Sequence, residues 1–542
     1  MSTNQAVPLE PYNLYSTDPV LHDALVREGA SDTDSLHNFG ARVGSSQVFQ
    51  WGFDANNHPP ELLTHDRVGN RIDEVRYHPA YHSLLELSIA EGLHNSHYTG
   101  DPGDGAYITR TARMFMMSQV EMGHGCPISM TGAVLPALRH QPDLAAQWEP
   151  AISTHTYDPV LAPIGQKQGA LLGMGMTERQ GGSDVRANTS TAAAVGGGGP
   201  GAEYRLTGAK WFTSAPMCDA FLVLAHAPAG LSCFLVPRVL ADGSRNPLHL
   251  MRLKDKLGNK SNASAELEFT NAAGWLVGEE GRGIRTIIDM VSGTRLDCTT
   301  WSVALMRQAV AQAGWHVAQR QAFGETLIDK PLMQNVLADL EVEVEAATLL
   351  MVRMSGAFER APVDTGEAGV ARLGAAVGKY WLTKRSTPVV REALECVGGN
   401  GFVEESILPR LYREAPLNSI WEGSGNVIAL DVLRALRRSP ETADAFLAEL
   451  DRGAGREALV DASIANVRNT LGNLSGDEAG ARRLVELLAL TWQAALLVQH
   501  GDAAVANAFV GSRLGGDWGR QFGTLPASSD LATVARRAVP AT

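Results

Sequence analysis

Gly173-Met174-Gly175-Met176-Thr177-Glu178-Arg179-Gln180-Gly181-Gly182 is where the texture of this chain changes. Before it, apolar residues recur at helical spacing: Leu84, Leu85, Leu87, Ile89, then Ala112, Phe115, Met116, Val120, then Met130, Val134, Leu138. From it to about residue 285 the helical period is gone. Tyr204-Arg205-Leu206-Thr207-Gly208 alternates, Phe221 to Leu224 and Cys233 to Val236 are short apolar runs, and turns recur closely, as in a compact β domain. Gly196-Gly197-Gly198-Gly199-Pro200-Gly201 falls between two such strands. With no helix after it, it reads as a hairpin loop and not a phosphate cradle. After Gly283 the helical period returns with Ile284, Ile287, Ile288 and Val291, and persists through Val303, Val310, Leu337 and Val344. The chain is therefore an α+β multidomain protein. Its expected parts are an N-terminal extension and helical domain (1–170), a β domain (171–285), a helical bundle (286–440) and a further small helical domain (441–542).

The totals narrow the function classes. At 542 residues the chain exceeds one ordinary core. A formal charge of -13 opposes non-specific nucleic-acid binding by the chain as a whole, so any such binding must rest on a local basic patch. No apolar run reaches about 18 residues, and Met1 to Glu10 has neither a basic start nor an apolar core; neither a membrane span nor a secretory signal is expected. The five cysteines are scattered, odd in number and never in a CxxC spacing, which suits buried thiols in a reducing cytoplasm. His78 and His82 stand four apart without a third ligand nearby, so no metal site is expected. Asp18 before Pro19 is a helix start with its own cap.

One further stretch carries a chemical signal: Asn418-Ser419-Ile420-Trp421-Glu422-Gly423-Ser424-Gly425-Asn426, directly before an apolar helical pattern. A single carboxylate stands between an indole and small residues. Gly423 and Gly425 permit close approach of backbone to a ligand. Trp421 would shield the Glu422 carboxylate, and desolvation raises an acid toward the range of a general base. The plainer reading is a helix N-terminus, with Glu422 in the first turn and Ser424 or Asn426 capping.

Two runs then point to a family. Gly175-Met176-Thr177-Glu178-Arg179-Gln180-Gly181-Gly182-Ser183-Asp184-Val185 resembles the first signature of the acyl-CoA dehydrogenases, and Glu395-Cys396-Val397-Gly398-Gly399-Asn400-Gly401-Phe402 resembles the second. Lys210-Trp211-Phe212-Thr213-Ser214 is similar to the family's flavin-flanking strand, and Arg320-Gln321-Ala322-Phe323-Gly324 to the segment that meets the adenylate half of FAD across a subunit interface. The resemblance implies the acyl-CoA dehydrogenase fold with an added C-terminal helical domain, a homotetramer, and FAD held by Met174, Thr177, Gly182, Ser183, Trp211, Phe212, Thr213, Ser214, Arg320, Phe323, Ile420, Gly423, Gly425 and Asn426. These residue types suit the task independently. A flat isoalloxazine takes an indole wall and hydroxyl donors, and a pyrophosphate takes amides and hydroxyls near positive charge. No dinucleotide-binding glycine fingerprint follows a leading strand. Glu422 falls on the family's catalytic base, which removes the α-proton of an acyl-CoA while the β-hydrogen leaves as hydride to the flavin. Arg295 resembles an arginine facing that pocket, its plainer reading being an exposed helix-start arginine.

Pro59-Pro60-Glu61-Leu62-Leu63, Cys126-Pro127-Ile128-Ser129-Met130-Thr131 and Leu253-Lys254-Asp255-Lys256-Leu257-Gly258-Asn259-Lys260-Ser261-Asn262 are similar to a subgroup, the flavoproteins of the bacterial adaptive response to DNA alkylation. That likeness implies weak activity on isovaleryl-CoA and a C-terminal domain that binds double-stranded DNA. Composition does not favour the latter: residues 441–542 hold nine arginines, no lysine and twelve acidic residues. What remains is a patch. Arg434, Arg437 and Arg438 share one helix face, and Arg513 resembles an arginine of the subgroup's DNA-facing surface. A cationic helix end complementing the macrodipole explains the patch equally well. Two other functions stay open: a metabolic acyl-CoA dehydrogenase whose last domain serves assembly, and a flavin-binding scaffold without turnover.

Overall fold

The computed structural model describes residues 4–30, 32–99, 104–474 and 478–541, which gather into two compact units. The β-rich unit takes residues 50–100 and 121–294. It opens with a hairpin, β1 (Glu61–His65) and β2 (Arg71–Arg76), and its centre is a seven-stranded sheet. The strands are β3 (Leu172–Gly175), β4 (Thr191–Ala194), β5 (Glu203–Ser214), β6 (Ala220–Ala227), β7 (Gly230–Pro237), β8 (Leu248–Leu253) and β9 (Ser264–Val277). They run in the order β3-β6-β4-β5-β9-β7, with β8 on β9. An additional β6–β7 pairing closes five of them into a ring. That closure explains why β6 and β7 read as continuous apolar runs: nearly every residue of both is buried. Residues 196–201 form the turn between β4 and β5, as the glycine run suggested, and Gly196, Gly198, Gly199 and Gly201 all take positive φ.

The second unit takes the described residues of 1–49, 101–120 and 295–542. Helix α1 (Pro19–Glu28) starts on the expected cap: Asp18 accepts from the Leu21 amide at 3.0 Å and from Arg307 Nε at 3.0 Å. The long helices are α2 (Gly283–Gln319, in this unit from Arg295 onward), α3 (Pro331–Arg360) and α4 (Thr365–Val397), followed by the shorter α5 (Gly425–Arg438). Further helices at Pro440–Asp451, Ala458–Gly472, Ala481–His500, Ala503–Phe509 and Leu531–Arg537 belong to the same unit. The core of α3 is nearly unbroken from Leu337 to Ala357, yet it includes Asp339, Glu341, Glu343, Glu345 and Arg353. Charges at that depth persist only when paired, and the Glu341 carboxyl, which burial pushes well above the ordinary range, is instead held neutral. Arg353 meets Glu367 and Glu449 at 2.8 Å each, Arg513 meets Asp339 at 2.5 Å and Glu343 at 2.8 Å, and Arg537 meets Glu345. The helices after residue 440 are thus tied to the bundle by buried ion pairs as well as by apolar packing.

Candidate active site

In the β-rich unit the site residues collect where β3 and β5 end together. Beyond β3, Thr177 bridges Phe212, and the Trp211 amide donates to the Thr177 carbonyl at 2.8 Å. The chain turns back at once, Gly181 N donating to Glu178 O at 3.0 Å with Gly181 at φ +121°. Gly182 then lies on Thr177: a Cβ there would stand 2.4 Å from Thr177 Oγ1, so the close approach requires glycine. Glu178 pins the turn from beneath. It takes the Thr189 amide at 2.6 Å, the Thr189 hydroxyl at 2.9 Å and Lys210 Nζ at 2.6 Å. Burial works to raise its carboxyl, but Lys210 and the Thr189 and Ser190 donors outweigh burial and hold it down to about 2. Lys210, fully buried, also donates to Leu224 O at 2.7 Å, and burial pulls its amine below the ordinary lysine value. This pair is architecture.

Around it Met174, Thr177, Gly182, Trp211, Phe212, Thr213 and Ser214 lie on or beside the paired ends of β3 and β5, while Ser183 lies exposed on the outer arm of the turn. The Thr213 hydroxyl is buried and, among the described residues, has no hydrogen-bond partner. That hydroxyl lies against Gly175, 3.5 Å from where a Cβ would stand, and an orphaned buried hydroxyl there fits a ligand that brings an acceptor. The Trp211 wall is not bare: Lys254 Nζ lies 3.4 Å from the indole centroid, with Arg179 and Arg252 at 5.5 and 5.8 Å. Lys254 comes from the Leu253–Asn262 run, whose Ser261 donates to the buried Glu121 at 2.8 Å. The same carboxylate meets His124 Nδ1 at 2.6 Å, and His124 Nε2 meets Ser88 Oγ at 2.9 Å. This serine–histidine–glutamate chain has the spacing of a nucleophile relay, but all three side chains are almost wholly buried, so it ties helices and strands together.

In the helical unit the loop before α5 is drawn into an arch. Glu422 takes φ +55° and Gly423 φ +104°. Glutamate rarely adopts the left-handed region, and its cost must be met by contacts that fix the backbone. They are present. Lys379, buried on α4, donates to the Trp421 carbonyl at 2.8 Å and also to the Gly423 carbonyl. Arg295, on α2, donates from Nε to the Glu422 carbonyl at 3.3 Å. Arg295 is itself held by Asp431 at 2.6 Å, and Arg372 meets the other oxygen of Asp431 at 3.0 Å. Three successive carbonyls are therefore drawn toward two cations from two helices. Burial lowers Lys379 to about 8, against the opposing influence of Cys298 and Glu422. The Trp421 indole packs on Trp301 with centroids 5.4 Å apart.

The expected cap of α5 is not formed. Ser424 occupies the cap position without a side-chain bond, and Asn426 Oδ1 instead accepts from Arg482 Nε at 2.8 Å. Gly425 admits Lys384, whose Cε would lie 2.7 Å from a Cβ at that position. Ile420 is 62% exposed. Arg320 donates to the Asn4 carbonyl, and Phe323, 95% exposed at φ +53°, forms with Gly324 the tip of the hairpin joining Gln321-Ala322 to Glu325-Thr326.

Lys379, Arg372, Asp431 and Trp301 do not stand out in the sequence. The available signal for Lys379 is a lone lysine within the apolar stretch Ala375-Ala376-Val377-Gly378-Lys379-Tyr380, where no solvated face explains it.

Of the arginines read as facing DNA, Arg434, Arg437 and Arg438 are exposed on the last turns of α5, Arg434 standing 3.8 Å from Asp431. Arg513 requires a correction. It is buried, its guanidinium bonded to Asp339 and Glu343 and stacked 4.0 Å from the Trp518 centroid. An arginine whose donors are committed inside the bundle presents no cation to a phosphate. Among the described residues no group of three or more histidines, cysteines or carboxylates is placed to hold a metal, and no helix is long and apolar enough to cross a membrane.

The chain is similar to known proteins over nearly its whole length. Residues 4–159 match the family model of the adaptive response protein AidB N-terminal domain. Residues 173–272 and 281–437 match those of the acyl-CoA dehydrogenase middle and C-terminal domains. The chain is 44% identical to the putative acyl-CoA dehydrogenase AidB of Escherichia coli, covering 93% of each chain. It is 30% identical to acyl-CoA dehydrogenase family member 11 of Caenorhabditis elegans, over 92% of this chain and 85% of that protein. The crystal structure of the C. elegans protein in complex with C11-CoA superposes with a TM-score of 0.85 at 26% identity, covering 99% of this chain and 92% of that one.

Proposed function

The chain belongs to the acyl-CoA dehydrogenase family, in its AidB-like branch, and from that premise we propose an FAD flavoprotein that oxidises a short branched acyl-CoA of the isovaleryl type weakly and binds double-stranded DNA in the alkylation-damage response. It is an FAD-dependent oxidoreductase of acyl-CoA thioesters. The observation that carries the catalytic reading is the arched loop with Glu422 in the left-handed region, a strained carboxylate position of the sort retained at reactive sites. Thr177, Thr213 and Ser214 would supply donors to FAD, Trp211 its flat wall, and Gly182 and Ser183 its phosphate amides and hydroxyl. FAD, when bound, supplies the acceptor for the β-hydrogen and its electron pair. Glu422 takes the α-proton, leaving a double bond between the α and β carbons. Its amide, on the side of the loop opposite the clamped carbonyls, donates to the thioester carbonyl as negative charge develops there.

The test is anaerobic mixing of the yellow protein with isovaleryl-CoA. Flavin bleaching is expected, with loss of about 10²- to 10⁴-fold in rate in Glu422→Gln at unchanged FAD content. Because the C. elegans relative was solved with C11-CoA, a C11-CoA arm decides chain length. No bleaching by either thioester sinks the dehydrogenase reading in favour of a scaffold.

DNA binding rests on Arg434, Arg437 and Arg438, exposed together at one helix end, with the helices after residue 440 of the same unit following them. The buried Arg513 and the acidic balance of that region favour the competing reading, a metabolic dehydrogenase whose C-terminal helices serve assembly. A mobility shift at graded salt separates the two. The exposed Phe323 beside Arg320 supports a homotetramer in which this hairpin reaches a neighbouring copy's FAD. A cytoplasmic setting accords with five buried free cysteines.

A further inference from the structure

The arch at Glu422 has a feature beyond holding a carboxylate. In a trans peptide the C=O and the next N–H point in opposite directions. Lys379 Nζ draws the Trp421 and Gly423 carbonyls to one side, so the amides of Glu422 and Ser424 are turned to the other. A charge-assisted bond to a carbonyl also polarises the peptide that carries it, and hydrogen bonds in series strengthen one another in a low-dielectric interior. Lys379 is almost wholly buried, so its charge acts on that peptide with little solvent screening.

We infer that Lys379 is the positioning residue of this site: by binding the carbonyls on either side of Glu422 it both fixes the left-handed arch and polarises the Trp421–Glu422 peptide, making the Glu422 amide a stronger donor to the thioester carbonyl. The inference rests on the reading of Glu422 as the α-proton base. Arg295 complements Lys379 on the intervening carbonyl, but Asp431 balances its charge directly, whereas Lys379 commits two donors to peptide carbonyls. The groups facing Lys379 are Cys298 and Arg295 from α2, Glu422 from the loop and Lys384 from its own helix. Burial lowers its amine most, Cys298 and Glu422 oppose that, and Arg295 and Lys384 add to it, which leaves a lysine that discharges at about 8.

Lys379→Met removes the charge at similar length. In FAD-loaded protein three readouts follow. The rate of anaerobic bleaching by isovaleryl-CoA should fall about 10- to 100-fold while KM changes less than about two-fold, the signature of an interaction strengthened in the transition state. The infrared carbonyl stretch of bound, ¹³C-labelled isovaleryl-CoA should move back toward its solution frequency. The wild-type rate and carbonyl shift should decline together as pH rises through about 8, a transition absent from Lys379→Met. Wild-type rate and carbonyl frequency in Lys379→Met overturn the inference. Should that variant fail to fold or to hold FAD, the wild-type titration decides: a carbonyl frequency constant from pH 7 to about 9.5 overturns it as well. Glu422→Gln keeps the two readings apart. If it still bleaches, the base assignment fails, while the carbonyl shift continues to report on Lys379.

Discussion

At the residue scale, two carboxylates flanked by glycine-rich sequence end in opposite roles because of their partners. Glu178 stands in a signature run but is buried against Lys210, whereas Glu422 is carried on a strained arch. Lys210→Met leaves Glu178 as an uncompensated buried charge, so a loss of about 3–5 kcal/mol is expected in urea unfolding followed by β-sheet signals. The pH dependence has a definite sign. Glu178 lies below its ordinary 4.5, at about 2, so its contribution is present above about 4.5 and fades as pH falls toward about 2. Acid unfolding of Glu178→Gln should therefore show a shallower slope in that interval. Glu422 was legible in sequence through its neighbours Trp421, Gly423 and Gly425. Of its holders, Arg295 was marked by resemblance and Lys379 only as a lone lysine in an apolar stretch; that both bind carbonyls of this loop was not legible, because they lie 127 and 43 residues earlier by number, each on a long helix.

At the element scale, α5 joins two prospective functions: its N-terminal loop carries Glu422 and its last turns carry Arg434, Arg437 and Arg438. Arg434→Glu combined with Arg437→Glu should abolish DNA retardation near 0.1 M salt while leaving flavin bleaching intact; lack of retardation of the wild type even at low salt excludes DNA binding. With binding present, each arginine withdrawn from a phosphate makes the slope of log K against log salt shallower by about 0.9. Arg513→Gln makes the contrasting case. It should lower stability by leaving Asp339 and Glu343 unpaired, and leave the salt slope unchanged. A salt slope altered by Arg513→Gln at full stability would restore that arginine to the DNA surface. The hairpin Gln321–Thr326 gives a third element: if the proposed tetramer forms, Phe323→Asp should shift it toward smaller species in light scattering and weaken FAD retention, and an unchanged size and FAD content in that variant sinks the proposal.

At the scale of the whole molecule, the helical unit is held by buried ion pairs that reach from α3 to the helices after residue 440. Arg353→Met removes the link among Glu367, Glu449 and α3, so the midpoint of thermal unfolding followed by helical signals is expected to fall markedly. The order helices, β sheet, helices was legible from the change of apolar period near Gly173 and its return near Gly283, because period depends only on residues close in sequence. So were the cap at Asp18, the turn at residues 196–201 and the glutamate before α5. The pairing of β4 and β9 with the two sides of the β6–β7 hairpin, the burial of Arg513, the commitment of Asn426 to Arg482 and the two cations on the Glu422 arch were settled only in the folded chain. Each depends on partners far apart in sequence, and burial, which turns a lysine or arginine from a solvated charge into a directed one, is a property no local pattern of residue types contains.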